Sequence, residues 1–285
     1  MEKDKNLPAV KSHLFEEKDL TQHLIDPDKL PEGVTKKELQ EMLRSDLETN
    51  LKGVVPRLPQ IKIDHQGTSF VFPPDEHGES ETRKTFKAII MHHQKINALW
   101  KGRGLNQPPD CSSKNGITGN KYGGNDHVCS KCEFNQFGTA VDQHGEQMPG
   151  KACKNMQRLH LLFPTHRLPW RLTMPPTSLV SISEFLSILT DKGLPYTMFF
   201  VTFNLEKITG NFNYSKVNLN IDRGDQLPAI DYLAVRKLKD EILSSITEQE
   251  ISAEEYEDDT QTGKVDDLEA PIPPEDRDLD IEEDE

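Results

Sequence analysis

The chain has 285 residues, with 34 Lys and Arg against 48 Asp and Glu and only four Cys, a length that allows one large domain or two small ones. No window approaches the roughly 18 consecutive apolar residues of a membrane-spanning helix, and the first six residues lead into no apolar signal-peptide core. A soluble, non-secreted, cytoplasmic protein without a membrane partner is therefore expected. Hydrophobic residues make up only 34% of the sequence, so part of the chain is expected to stay outside any core.

In chain order, residues 1–32 are polar and read as a loosely held arm. Thr35 and Glu38 form a capping box, and Leu39, Met42, Leu43, Leu47 and Leu51 repeat at helical spacing up to Gly53, which predicts a helix over residues 36–52. Residues 61–63 and 70–72, around His65, Gln66 and Gly67, carry a hairpin signal, and residues 85–91 read as a strand. After Trp100 periodicity is lost for about fifty residues, a length that needs another organising force inside a compact domain. Strands are expected again at 159–163 and 170–174. Pro175 to Ser178 then start a helix with Leu179, Ile182, Phe185, Leu186 and Leu189 on one face and Gly193 at its end. Strands at 196–205 and 214–221 and a helix at 230–246 complete the reading. The sum is an α+β chain with about seven strands and no βαβ alternation. It fits an OB-like mixed β-barrel with flanking helices, an N-terminal arm and helix over 1–54, a core over 55–246 and a cysteine-bearing insertion at about 101–155.

Charge is segregated. From residue 246 to the end there are 18 acidic residues against Lys264 and Arg277, whereas between Arg83 and Arg171 there are 14 basic residues against five acids. The stretch 247–285 cannot bury enough apolar surface to offset its ordering entropy and reads as a disordered acidic tail. Tethered beside a basic groove, such a polyanion reaches an effective concentration on the order of millimolar and competes for that groove.

All four cysteines lie in or at the edge of the aperiodic stretch. Cys129 and Cys132 stand at the spacing at which two thiolates on one turn bind the same metal, flanked by Cys111 and Cys153. A structural four-cysteine zinc site follows as the expectation, with Lys131 partly offsetting the thiolate charge. His127 and His144 are the alternatives to Cys111 or Cys153. A zinc deaminase would need a Glu two residues after a His ligand and a Pro before the Cys pair, and neither is present. No phosphate-binding loop, dinucleotide fingerprint, HExxH or GxSxG motif occurs, so no enzyme is expected. His92 and His93, adjacent in a strand, should point to opposite faces. Asp110 reads as a turn residue or a hydrogen-bond acceptor beside the metal.

The basic region is threaded with Phe86, Trp100, Tyr122, Phe134, Phe137, Phe163 and Trp170. Aromatic faces stack on bases of any identity while cations hold phosphates. The residues expected to contact nucleic acid are Lys87, Lys95, Trp100, Lys101, Arg103, Lys121, Tyr122, Lys131, Lys151, Lys154 and Arg158.

Pro109 to Ser113, Cys129 to Cys132, Asn135 to Gly138, Lys151 to Asn155 and Pro175 to Leu179 carry a resemblance. The pattern is similar to the helix-destabilising, single-stranded DNA-binding proteins of large tailed phages, and it resembles proteins of phage and mobile-element genomes over roughly residues 86–221. The resemblance implies an OB-like barrel with a zinc subdomain, an aromatic-lined basic cleft and an acidic tail. It also implies a sequence-independent coat for single-stranded DNA during replication or recombination in a bacterial cytoplasm, with polymerase or recombination proteins as tail partners. The chain departs from those proteins in offering four cysteines where they use a histidine ligand, and in ending Asp284-Glu285 where their tails often end in an aromatic. A zinc-ribbon interaction protein whose acidic tail mimics DNA is the rival expectation; a metal-dependent nuclease would need an acid cluster that the basic region lacks.

Overall fold

The capping box forms as the sequence requires: Glu38 N–H donates to Thr35 Oγ1 at 3.2 Å and Thr35 N–H to Glu38 Oε2 at 2.9 Å, opening helix α1 (Lys36–Thr49). The computed structural model describes residues 29–50, 54, 56–64, 69–75, 77–101, 108–121, 126–141, 145–164, 166–209 and 214–252. After α1 come strands β1 (Gln60–Asp64), β2 (Ser69–Val71), β3 (Thr82–Arg83) and β4 (Thr85–Leu99). The cysteine-bearing segment holds β5 (Cys111–Ser113), β6 (Thr118–Lys121), β7 (Asp126–Val128), β8 (Ala140–Val141) and β9 (Gln147–Met148). Then follow β10 (Lys154–Leu162), β11 (Trp170–Met174), α2 (Leu179–Asp191), β12 (Phe200–Ile208), β13 (Tyr214–Asn220) and α3 (Ala229–Thr247). No described helix is long and apolar enough to cross a membrane.

Eleven strands form one mixed sheet along the path β3-β2-β1-β11-β10-β4-β5-β6-β7, with β12 and β13 attached to β4; β8 and β9 pair separately. The path is open, and no ring of strands closes among the described residues. The expected hairpin is present, with Lys62 opposite Val71, and β1 joins β11 in parallel. The first part of the long aperiodic stretch, β5 to β7, extends this sheet, with β5 antiparallel to the end of β4 and Leu99 opposite Cys111.

The sheet forks at β4. One edge of β4 pairs with β10 from Ile89 to Ala98. Its other edge pairs with β12 over Thr85 to Ile89 and with β5 over Asn97 to Leu99, so residues 90–96 of that edge lie outside both ladders. His160 opposes His92 and Leu161 opposes Ile90, which makes Met91 a β-bulge; bulges bend and twist a strand, and this one lies where β12 and β5 diverge.

Helices cover both faces. On one side α2 buries Ile182, Phe185 and Leu189 against Ile61, Phe86, Leu159, Leu172, Val201 and Phe203. Phe86 and Phe203 stack at 4.8 Å, and Phe163 lies 5.1 Å from Trp170. Phe86, Phe163 and Trp170, read above as threaded through the basic region, thus belong to this aromatic core. The turn before α2 is pinned to β13: Val217 N–H donates to Ser178 Oγ at 2.9 Å and Thr177 Oγ1 to Ser215 O at 3.1 Å. Gly193, at φ +66°, closes the helix with Leu194 N–H donating to Leu189 O at 2.9 Å. On the other face α3 packs Val235 and Ile246 against Leu58, Ile89, Met91 and Leu162.

The chain does not leave the fold at residue 247, which corrects the expected tail boundary. Residues 248–252 cross the sheet as a strap, with Ile251 only 3% exposed among Ile96, Ala98, Met156 and Trp100. Arg158 holds the strap: its guanidinium donates to Gln249 O at 3.0 Å and Glu250 O at 3.3 Å. Lys114 Nζ donates to Glu248 O at 2.8 Å and pairs with the Glu250 carboxylate at 2.6 Å. Gln94 reaches Thr247 O and Gln249 reaches Pro56 O. The bonds to Thr247 O and Glu248 O satisfy carbonyls that the end of α3 otherwise leaves open. Arg158 is 0% exposed, so it is a structural clamp and not part of a phosphate-binding surface, a correction that follows from its burial. Residues 253–285 lie outside the described residues.

Buried imidazoles are expected to make the fold acid-sensitive. His160 is fully buried, and burial, followed by the Arg158 guanidinium, His92 and Arg171, pushes its pKa down to about 3. Burial, Lys239 and His93 bring His92 to about 4. Both folded values lie below the unfolded value near 6.5, so as pH falls below 6.5 the unfolded chain takes up protons that the folded chain refuses, and stability is lost. We expect His160 to contribute about 1.4 kcal/mol of that loss per pH unit, and His92, half-buried, less. Urea unfolding between pH 6.5 and 5, above the carboxylate range, measures it; His160→Gln should flatten the dependence by nearly one proton.

Candidate nucleic-acid interface and cysteine cluster

The turn chemistry of residues 129–132 brings the first cysteine pair together. Cys129 N–H donates to Ile117 O at 2.7 Å and Cys132 N–H to Cys129 O at 3.2 Å, so the loop folds back on itself directly after β7. Asn135 Nδ2 donates to Cys129 O and Gln136 Nε2 to Ser130 O, both at 3.0 Å. Cys111 arrives on β5 from the end of β4, and Cys153 is fixed by its N–H donating to Phe134 O at 2.8 Å. All four cysteines are free thiols, and all four line one cavity of about 10 Å³ together with His127, Asn97 and Asn135, room for about one small ion or water.

These residues suit a thiophilic cation in composition. The distance from Cys111 Sγ to His127 Nε2 is 3.7 Å, against the roughly 3.6 Å that separates a sulfur and a nitrogen on one tetrahedral zinc. Asn97 Oδ1, His127 Nδ1 and Asn135 Oδ1 are buried without hydrogen-bond partners, which is costly in a filled interior. Burial and then the neighbouring Cys129, Cys111 and Cys132 sulfurs push the Cys153 thiol up to about 12, while Lys151 pulls it down. At Cys153 the cation that opposes this shift is Lys151. Among the described residues, however, no group of three or more His, Cys, Asp and Glu side chains is arranged to hold a metal ion; the sulfurs are gathered without being closed to coordination distance. His144 lies outside the described residues.

The basic residues separate into three sets. Lys87 is committed to Asp225, Nζ to Oδ1 at 2.6 Å, and Arg158 to the strap. Trp100 packs against the Ile96, Ala98, Met156 and Ile251 cluster, and Lys154 is half-buried. Arg103 and Tyr122 fall outside the described residues, and of Lys121 only the backbone in β6 is described. The third set surrounds the cysteine cluster. Lys101 Nζ lies 4.3 Å over the Phe134 ring and Lys151 Nζ 4.7 Å over Phe137, with Lys131 exposed on the turn between Cys129 and Cys132. Asp110, read as a turn or metal-neighbour residue, accepts the Lys101 backbone N–H at 2.7 Å and so sets the chain that places this cation. Lys95 is exposed on the open edge of β4.

Phe134 and Phe137 were not singled out as binding residues by the sequence. Phe137 is 52% exposed, with Lys151 Nζ over its ring. The available signal was its place two residues from a turn rich in Gly and Asn, next to a cysteine pair, rather than in any apolar period. Ile117, Val128 and Val141 in the same segment are also exposed.

Comparisons with protein-family models, with curated proteins and with solved structures found no match for this chain.

Proposed function

We propose that the chain is a non-enzymatic, sequence-independent single-stranded DNA-binding protein whose contact surface is built on a zinc-ordered cysteine cluster. The observation that carries this reading is the pair of lysine-capped phenyl rings, Lys101 on Phe134 and Lys151 on Phe137, on the segment that also holds Lys131. A cation over an aromatic face offers a base a stacking surface and a phosphate its counter-charge within one side-chain length. Zinc, held by Cys111, Cys129, Cys132 and Cys153 with His127 beside Cys111, would supply the rigidity that this thin segment lacks. The finer assignments, an OB-like lineage of the sheet, a role in replication or recombination, and polymerase or recombination proteins as partners of the acidic tail, belong to the same reading.

The strap bears on the tail. Ile251 packs against Trp100, and the next residue in the chain after Trp100 is Lys101, one of the capped cations. A tail attached after Ser252 is thus tethered close in the chain to this cluster, which favours competition in cis. Deleting from residue 247 would remove Ile251 and the two carbonyls that Arg158 holds, so the informative truncation begins at Ala253.

Titration of a fluorescent oligonucleotide at several salt concentrations tests the reading. The logarithm of affinity should fall with a slope of about −0.7 per phosphate neutralised, and truncation at Ala253 should tighten binding. Phe137→Ala should weaken it by about 1–3 kcal/mol, roughly 5- to 150-fold. Salt-independent binding, or a tail deletion that weakens it, overturns the reading. Negligible affinity with a tail essential for capturing a protein partner would establish the rival, a zinc-ribbon interaction protein with a DNA-mimicking tail.

A further inference from the structure

Where β12 and β5 diverge, the free edge of β4 opens into a cleft of about 590 Å³, within the range of small-ligand sites. Its floor is His92, His93, Gln94 and Lys95, and its far wall includes Asn115 and Asn120. From the single-stranded DNA reading above, on which this inference rests, we infer that the cleft takes one unstacked base of the bound strand. The base lies against the imidazoles and the free strand edge, and its phosphate sits at Lys95.

Four observations lead there. A strand edge without a ladder partner presents alternating main-chain donors and acceptors, the same alphabet as a base's hydrogen-bonding edge, and residues 92–95, which line the cleft, lie outside both ladders of that edge among the described residues. The histidine rings are layered, His92 lying 6.2 Å from His93 at 16° and 5.9 Å from His160 at 26°, and imidazole is one of the rings on which splayed bases stack. The wall is rigid: Gln94 Nε2 donates to Lys114 O at 3.1 Å, and His93 Nδ1 shares a 2.9 Å hydrogen bond with Gln157 Nε2. Charge sets the orientation. Lys114 is neutralised by Glu250, whereas Lys95 makes no ion pair among the described residues and stands exposed.

The short run of unpaired edge favours a base over an extended peptide. Among the described residues that run is bounded by the β12 ladder at Ile89 and the β5 ladder at Asn97, so a peptide has no further edge along which to continue. Position on the sheet decides what the histidines do. His92 stands opposite His160 in the β4–β10 ladder and His93 is bonded to Gln157, and both line the cleft.

Thymidine 5′-monophosphate, thymidine and inorganic phosphate, each titrated against the full chain while the His92 and His93 ring signals are followed by NMR, test the inference. We expect both thymidine compounds to shift the two imidazoles and phosphate alone to leave them unchanged. Lys95→Glu should weaken the monophosphate by about tenfold, the equivalent of one charge-assisted hydrogen bond, and leave thymidine unaffected. Shifts reproduced by phosphate alone, no shift with any probe, or stronger shifts with an alternating Thr and Val peptide overturn it. Oligonucleotide binding that depends on Phe137 while the histidines stay silent would sink the cleft and spare the function. Mononucleotide binding without oligonucleotide binding would do the reverse.

Discussion

Stripping the metal that we propose for the cysteine cluster is expected to unfold the segment from Cys111 to Cys153 while the helix-covered sheet survives. The reason is how little else holds that segment. Among the described residues its buried apolar side chains are Cys129, Ala140 and Cys153, whereas Ile117, Val128, Phe137 and Val141 face solvent. Burial of this extent cannot offset the ordering of some forty residues, each costing on the order of 1–2 kcal/mol of backbone entropy. A structural zinc site contributes apparent binding free energy of about 10–16 kcal/mol at neutral pH, enough to change the outcome. Elemental analysis of protein purified under reducing conditions should find one zinc per chain. After chelation, amide exchange should lose protection between residues 108 and 153 and keep it in β10, β11 and α2, and oligonucleotide affinity should fall with it. Metal-free protein with undiminished protection in this segment would remove the zinc assignment.

Arg158→Met is expected to destabilise the fold and loosen the strap without a direct effect on nucleic-acid contact. The guanidinium is fully buried and donates to two carbonyls that follow α3, and buried charge-assisted hydrogen bonds of this kind contribute about 1.5–3 kcal/mol each when removed. Methionine keeps the bulk and abolishes the donors. The urea midpoint should drop by the equivalent of about 2–5 kcal/mol, and limited proteolysis should cut the variant between residues 247 and 252 faster than the native chain. Had Arg158 tracked phosphates from an exposed face, the same substitution would lower oligonucleotide affinity and leave the urea midpoint in place. The two outcomes are opposite, so one pair of measurements separates them.

Lys101, Lys131 and Lys151, on the segment that carries the cysteines, were legible as candidates because a lysine near a turn stays in water whatever the fold does. Lys87 and Arg158 were equally good candidates on paper. Composition could not show that Asp225, 138 residues along the chain, would claim the first, or that a strap from beyond α3 would bury the second.

Local chemistry determined much of this protein. The Thr35 and Glu38 capping box, the Leu179 to Leu189 apolar stripe closed by Gly193, the hairpin at residues 61–72 and the tight turn of Cys129 and Cys132 depend on neighbours within a few positions, and such interactions are written in short windows of sequence. Beyond their reach lay the length of β4, whose polar His92-His93-Gln94-Lys95 run carries no apolar alternation and is held as strand by its pairing with β10. Phe86, Phe163 and Trp170 were drawn into the core rather than left for bases, and β5 to β7 joined the main sheet. Only the tertiary structure could decide these points, because each turns on which distant strand or strap covers a given side chain, and burial, unlike helical period, is a property of pairs of residues far apart in the chain.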